Sequence, residues 1–426
     1  MSTGRSLTLI GALAAVVLVL VSLAVLRPDD RKPYYFGTLQ TNPAMARTEH
    51  EHGIRVAHLT IHWDRFEPAE GQYDAAYIDS VKADLRALRE AGALVEVGFG
   101  LNHPPGWLYE AHPDAAFVDQ HGDRYTGTPN MVFSRAVRAE ADQYIGKVAE
   151  AIDLGDVWAI RVGVNSSGEF SYPAPVSEGD GGDYWAYDAN AQGQDSAPGR
   201  PATVPASPFP GWRPGERTYN GSPFTASQVS RWYDWYLAAL ADTVNWQIGQ
   251  YRSLGYDGLL KVLIPGAGFY PDDHARAIAN HLDGSVAAQL VSRGTAYFRT
   301  LQQVGPRRNV QMVSTALVDG SGMPRNNGCA AEDATVDVRN RDSAEARRWS
   351  SVRWVAAIAE RDGFALGGES AGPQVAPYYE GVMDDAAHQM KSCGLKGLMW
   401  AFDSQLYDGT PGSSLQDYAK VIDRYS

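Results

Sequence analysis

The chain has 426 residues, of which 37 are Lys or Arg and 50 are Asp or Glu, leaving a formal charge of −13. Hydrophobic residues make up 44% and the charged ones 20%, a globular balance that excludes a disordered or fibrous chain. The acidic surface argues against nucleic acid, because a phosphate backbone is met by clustered Lys and Arg. Cys329 and Cys393 are too few for a disulfide scaffold or a Cys-rich zinc site.

In chain order the first feature is Leu7–Leu26, 20 residues whose only polar members are Thr8 and Ser22. As a helix it would be roughly 30 Å long, enough to span a hydrocarbon core. Its length favours an uncleaved signal anchor over a signal peptide, whose apolar region is usually about 7–15 residues. Ser22 and Ala24 nevertheless offer a small-x-small cleavage signal. Lys and Arg counted across the segment put its C-terminal side inside, whereas the chemistry below favours export. The expectation is a membrane-anchored or secreted domain.

From Pro28 onward, 399 residues alternate short apolar runs with amphipathic helical stretches. The runs are 35–40, 56–61, 94–99, 157–162, 259–264, 309–314, 365–368 and 397–401. Helical periodicity follows each of them, over 43–52, 76–91, 135–153, 226–254, 285–304, 344–362, 382–393 and 414–425. Glycines close several of the helices, as at Gly92 and Gly255. Eight strand–helix pairs in strict order predict a (β/α)8 TIM barrel, with a doubly wound sheet as runner-up. Residues 174–224 interrupt it: 16 of these 51 are Gly or Pro, interleaved with Tyr184, Trp185, Tyr187, Phe209, Trp212 and Tyr219. Such a loop reads as a folded lid over the barrel mouth or as a mobile surface insertion. A second long loop, 316–343, follows the sixth strand and is expected on the same face.

In a barrel, reactive residues sit where strands end. The fourth strand runs into Asn165-Ser166-Ser167-Gly168-Glu169-Phe170-Ser171-Tyr172, and the seventh into Gly368-Glu369-Ser370. The second ends in His62-Trp63-Asp64, the third approaches His103 and Trp107, and the eighth ends at Trp400. Two glutamates would thus face one another across the mouth. Glycosidic cleavage needs such a pair, one acid to protonate the leaving oxygen and one carboxylate to attack or stabilise the sugar cation. The plainer alternatives are capping or ion-paired glutamates, buried histidines and core tryptophans. A metal triad from His62, Asp64 and His103 lacks HExxH-type spacing, so no metal is assigned there. With Cys329 on the catalytic face and Cys393 on the opposite one, two free thiols are expected.

The stretch Ile61-His62-Trp63-Asp64-Arg65-Phe66-Glu67-Pro68-Ala69-Glu70-Gly71-Gln72-Tyr73-Asp74 resembles the second-strand signature of clan A glycoside hydrolases. It looks closest to the β-galactosidases of glycoside hydrolase family 42. The likeness continues through Pro104-Pro105-Gly106-Trp107-Leu108, Val118-Asp119-Gln120-His121-Gly122 and Ser134-Arg135-Ala136-Val137-Arg138. The resemblance implies an O-glycosyl hydrolase with Glu369 as nucleophile and Glu169 as acid/base, the latter with a raised pKa. It further implies that Asn165, His62, Asp64 and His103 bind sugar hydroxyls, with Trp63, Trp107, Tyr172 and Trp400 beside the substrate. A carbohydrate substrate and no cofactor are expected. Two departures stand out. The clan places Asn directly before the acid/base, whereas Asn165 lies four residues ahead of Glu169. The run Gly168-Glu169-Phe170-Ser171-Tyr172-Pro173 instead resembles the Gly-Glu-Leu-Arg-Tyr-Pro stretch of β-amylases, which are inverting. A catalytically lapsed barrel that binds a surface polysaccharide, and an inverting α-glucan hydrolase, are the alternatives.

Overall fold

The computed structural model describes residues 34–176, 182–319 and 328–426. The apolar segment Leu7–Leu26 lies outside them, and among the described residues no helix is long and apolar enough to cross a membrane. Eight parallel strands close on themselves: β1 (Tyr35–Thr38), β2 (Val56–Thr60), β3 (Leu94–Gly98), β4 (Ala159–Val162), β5 (Leu259–Ile264), β6 (Val310–Leu317), β7 (Ala365–Ser370) and β8 (Gly397–Trp400). Each pairs with its neighbours in sequence, and β8 closes the circle on β1 with Thr38 opposite Trp400. This is the (β/α)8 barrel that the alternation predicts.

The helical shell comprises α1 (Ala46–Glu51), α2 (Ala75–Glu90), α3 (Arg135–Ala151), α4 (Ala226–Ser253), α5 (Pro271–Ala279), α6 (Ser351–Arg361), α7 (Val382–Ser392) and α8 (Leu415–Tyr425). Local chemistry starts and stops them. Asp74 caps α2 by accepting from the Tyr77 amide at 3.0 Å, a contact typically worth about 1 kcal/mol. Tyr77, Val81, Leu85 and Leu88 recur every three or four residues and bury one face of α2 against the barrel. Gly92 then turns the chain into β3 at φ +93°, where a Cβ would also meet the His50 ring at 2.8 Å. Thr225 opens α4 with a reciprocal capping box to Gln228.

Three expectations meet a different structure. The helix over 285–304 is broken into turns at Ala288–Ser292 and Tyr297–Thr300. Gly294, at φ +70° and packed against Tyr172 and Leu240, separates them. The aromatic residues singled out in the long insertion pack onto α4 and are not themselves part of the cleft lining: Trp212 sits 5.3 Å from Trp232, and the Trp185 amide donates to the Tyr236 hydroxyl at 3.1 Å. The two cysteines are not free: Cys329 and Cys393 form a disulfide with Cα atoms 4.8 Å apart. The strand assignment is intact; beyond β6, the described residues from 328 onward lie against the helical shell, where Arg353 of α6 pairs with Asp333 at 2.6 Å and Cys329 meets Cys393 at the C-terminal end of α7.

The barrel interior is unusually polar. Beside a cluster of Leu39, Val56, Met399 and Ala401, against which Tyr35 and Trp158 pack, the strands bring His58, Glu96, Arg161, Lys261 and Gln311 together. Register makes them neighbours: His58 lies opposite Glu96, Arg161 opposite Lys261, and Lys261 opposite Gln311. Lys261 is ion-paired with Glu96 and lies 4.6 Å from the rings of Tyr35 and Trp158. Burial alone would push the Glu96 carboxyl up; Lys261 and Arg161 outweigh it and hold that pKa below the ordinary value.

Candidate active site

Above this polar layer, at the C-terminal ends of the strands, opens a cleft of about 690 Å³. Glu169, in the turn after β4, and Glu369, on β7, both line it. Glu369 ends the inward-facing series of β7 and is almost wholly buried, at 7% exposure. Arg161, two residues beyond Ala159, the register partner of Glu96, donates Nη2 to Glu369 Oε2 at 2.8 Å and lies 3.6 Å from Glu96 Oε1. Burial raises the Glu369 carboxyl to about 7; Arg161 opposes that rise, while Glu96 and Glu169 add to it by like-charge repulsion. A continuous chain of charges therefore runs from Lys261 through Glu96 and Arg161 to Glu369.

Glu169 is presented by a tight turn. Gly163 lets the chain fold back on itself, since a Cβ there would fall 1.8 Å from the Gly168 carbonyl oxygen, and Gly168 takes φ +73°. The Asn165 and Glu169 main chains bond to each other across the turn, and Phe170 then rejoins the sheet through the Leu263 carbonyl at 2.7 Å. This geometry answers the odd spacing of Asn165. Its amide comes back to Glu169 Oε2 at 3.3 Å, and Thr315 of β6 donates to Glu169 Oε1 at 2.7 Å.

The remaining residues singled out from sequence divide sharply. His103 lines the cleft, stacked on His62 with ring centroids 4.0 Å apart; burial lowers the pKa of both rings. His62 stands beside that wall, 3.9 Å from the exposed Asp64, and neither contributes to the lining. Trp63 is fully buried, stacked on Tyr144 at 4.9 Å and bonded to Glu67. Trp107 packs edge-on against Trp63 and donates to the Glu67 carbonyl. Tyr172 is fully buried on Tyr236 at 4.0 Å, and Trp400 is fully buried with its Nε1 bonded to Ser413. These four rings fill the space between barrel and shell, outside the cleft lining.

Several lining residues went unrecognised in sequence. His58 sits low in the cleft with its pKa pushed down to about 3 by burial, so it is neutral and accepts from the Gln40 amide through Nδ1 at 3.2 Å. Arg293 reaches the cleft and bonds Ser171 Oγ at 3.2 Å, while its buried Nε has no hydrogen-bond partner among the described residues. Phe402 and Tyr251 supply the aromatic wall. The signal for Arg161, Glu96 and Lys261 was available: each is a lone charge inside an otherwise apolar strand.

Comparison with known proteins bears out the resemblance. Residues 38–153 match the model of the glycoside hydrolase family 42 beta-galactosidases. Beta-galactosidase BgaA of Clostridium cellulovorans is 39% identical over 75 residues, covering 17% of this chain and 11% of that protein. Beta-galactosidase BbgII of Bifidobacterium bifidum is 36% identical over 72 residues, covering 17% and 10%. The chain thus spans about a tenth of the length of the curated relatives it matches. Among solved structures, the catalytic domain of the beta-amylase from Paenibacillus polymyxa superposes with a TM-score of 0.60 at 16% identity, covering 93% of this chain and 99% of that one. The beta-galactosidase of Halorubrum lacusprofundi gives 0.57 at 14% identity, covering 92% and 58%. These two likenesses establish a shared barrel.

Proposed function

We propose that the protein is an O-glycosyl hydrolase acting on β-linked glycosides, galactosides or a surface polysaccharide, with Glu369 as nucleophile and Glu169 as acid/base. The observation that carries this reading is the pair itself: two glutamates lining one cleft, one of them gripped by a buried guanidinium. Arg161 engages Oε2 of Glu369, which leaves Oε1 to attack the anomeric carbon. In the first step that carbon–oxygen bond forms as the glycosidic bond breaks, and Glu169 gives its proton to the departing oxygen. In the second, Glu169 takes a proton from water, whose oxygen displaces Glu369. Asn165 and Thr315, bonded to the two oxygens of Glu169, aim that group. Asn165, His103 and His58 are placed to meet sugar hydroxyls.

Glu369→Gln should abolish turnover of an accepted aryl glycoside, and a variant keeping most of its activity would sink the assignment. Glu169→Ala should lose about 10²–10⁴-fold and be rescued by azide with net retention. A second reading, an inverting hydrolase of α-glucans, is favoured by the Gly168–Pro173 run and by the overall match to a beta-amylase domain. It predicts inverted disaccharide from starch. The lapsed-barrel alternative loses its main motivation, because the turn returns the Asn165 amide to Glu169. We also propose that the domain is exported, anchored or released at Leu7–Leu26; the Cys329–Cys393 bridge supports an oxidising compartment.

A further inference from the structure

Away from the cleft, the loop after β3 meets the long insertion after β4. Phe117–Val118 and Arg124–Tyr125 form a small antiparallel ribbon, and its turn carries Asp119 and His121. Asp183, fully buried, comes from the insertion. Gln120 joins the two segments, accepting from the Tyr184 amide at 2.8 Å and donating to the Gly182 carbonyl at 2.8 Å. One ligand atom each from Asp119, His121 and Asp183 falls within 4.8 Å of the others.

Asp119 is 1% exposed. Its Oδ1 accepts the amides of His121 and Asp123, at 2.9 and 2.8 Å, which shapes the turn. Its Oδ2 is buried and meets no donor among the described residues. Asp183 accepts the Val176 amide through Oδ2, and a buried carboxylate oxygen such as Asp119 Oδ2, which meets no donor among the described residues, is costly unless a proton or a cation compensates it.

We propose that Asp119, His121 and Asp183 bind a divalent metal ion that clasps the insertion to the β3 loop. Two carboxylate oxygens and one imidazole nitrogen suit a borderline ion such as Zn²⁺ better than Ca²⁺, which takes oxygen alone. The exposed side of His121 leaves room for water to complete the shell. The Gln120 amide meets His121 Nε2 at 3.0 Å, which steadies the ring that offers its nitrogen to the cluster. The role is structural, because none of the three residues lines the cleft.

The test is calorimetric titration of metal-stripped full-length protein with ZnCl₂, with CaCl₂ in parallel, followed by thermal unfolding. One equivalent of Zn²⁺ should bind, raise Tm and outcompete Ca²⁺. His121→Ala changes an exposed side chain and is expected to fold; it should weaken Zn²⁺ binding at least tenfold and lose most of the Tm gain. Asp119→Asn keeps an oxygen for the turn and should do the same. Absence of a one-equivalent site, tighter Ca²⁺ than Zn²⁺ binding, or binding unchanged in His121→Ala would overturn the proposal.

Discussion

At the scale of single residues, Arg161 decides how Glu369 behaves. The carboxyl is buried and its pKa is raised to about 7, with the guanidinium holding it from rising further. A nucleophile must be ionised, so kcat/KM should climb through an acid limb near pH 7. Arg161→Met removes the opposing charge, and the limb should then move to higher pH; an unmoved limb would detach Arg161 from Glu369. The same variant strands Glu369 in the interior while Glu96 keeps Lys261, so unfolding should cost about 3–5 kcal/mol less by denaturant titration. Stability carries its own signature. A carboxyl whose folded pKa exceeds the unfolded one binds more protons when folded, so its contribution is greatest below the unfolded value and fades as pH rises through the folded one.

Glu49 of α1 offers a cleaner case of that rule. Burial first, and then Asp403 beside it, push its carboxyl up to about 9, against hydrogen bonds from Tyr407 and Thr38. It is therefore protonated at neutral pH, where a glutamine is nearly isosteric with it. Glu49→Gln should leave Tm at pH 7 almost unchanged. It should also flatten the decline in stability between about pH 5 and 9, measured by thermal unfolding across that range. A large loss at pH 7 would mean that Glu49 is ionised there.

At the scale of elements, strand parity explains both what sequence reading found and what it missed. Glu369 lies opposite Met399 across the β7–β8 pair, and Met399 is part of the cluster inside the barrel. Trp400, the next residue, must therefore point outward, where it meets Tyr418 of α8. Sequence position alone set Trp400 at the strand end, but a one-residue change of parity separates cleft from shell. Trp63 and Tyr172 lie beyond their strands, in turns whose direction no periodicity encodes. The turn from Gly163 to Glu169 is similar: a four-residue spacing looked like a departure in one dimension and closes to a 3.3 Å contact in three. By contrast, eight strands, most helix limits and both glutamates were legible, because alternation and glycine stops are local signals. The broken helix before β6 was not, since Gly294 is required by packing on Tyr172 and Leu240 and not by the local pattern.

At the scale of the whole molecule, the long connections are tied down by devices that composition hides. The insertion leans on α4 through edge-on and tilted aromatic rings, and the loop after β6 is fastened to α7 by Cys329–Cys393. That bridge closes a separation of 64 residues, and chain entropy puts its contribution at about 4 kcal/mol at most. The Cys329→Ser, Cys393→Ser double variant should lose about 2–4 kcal/mol by denaturant unfolding while keeping cleft activity, since neither residue lines the cleft. The acidic surplus of the sequence finds a partial use in the same frame. Some of its carboxylates pair with arginines, as Asp333 does with Arg353, and others gather with a histidine, as Asp119 and Asp183 do with His121.

The account rests on Glu369 and Glu169 acting as nucleophile and acid/base on a β-glycoside. Proton NMR of the first-formed sugar, followed as wild-type protein digests a panel of aryl β-glycosides, tests it most directly. Release of the β-anomer before mutarotation is the predicted result. Initial release of the α-anomer, or no release from any member of the panel, would contradict it.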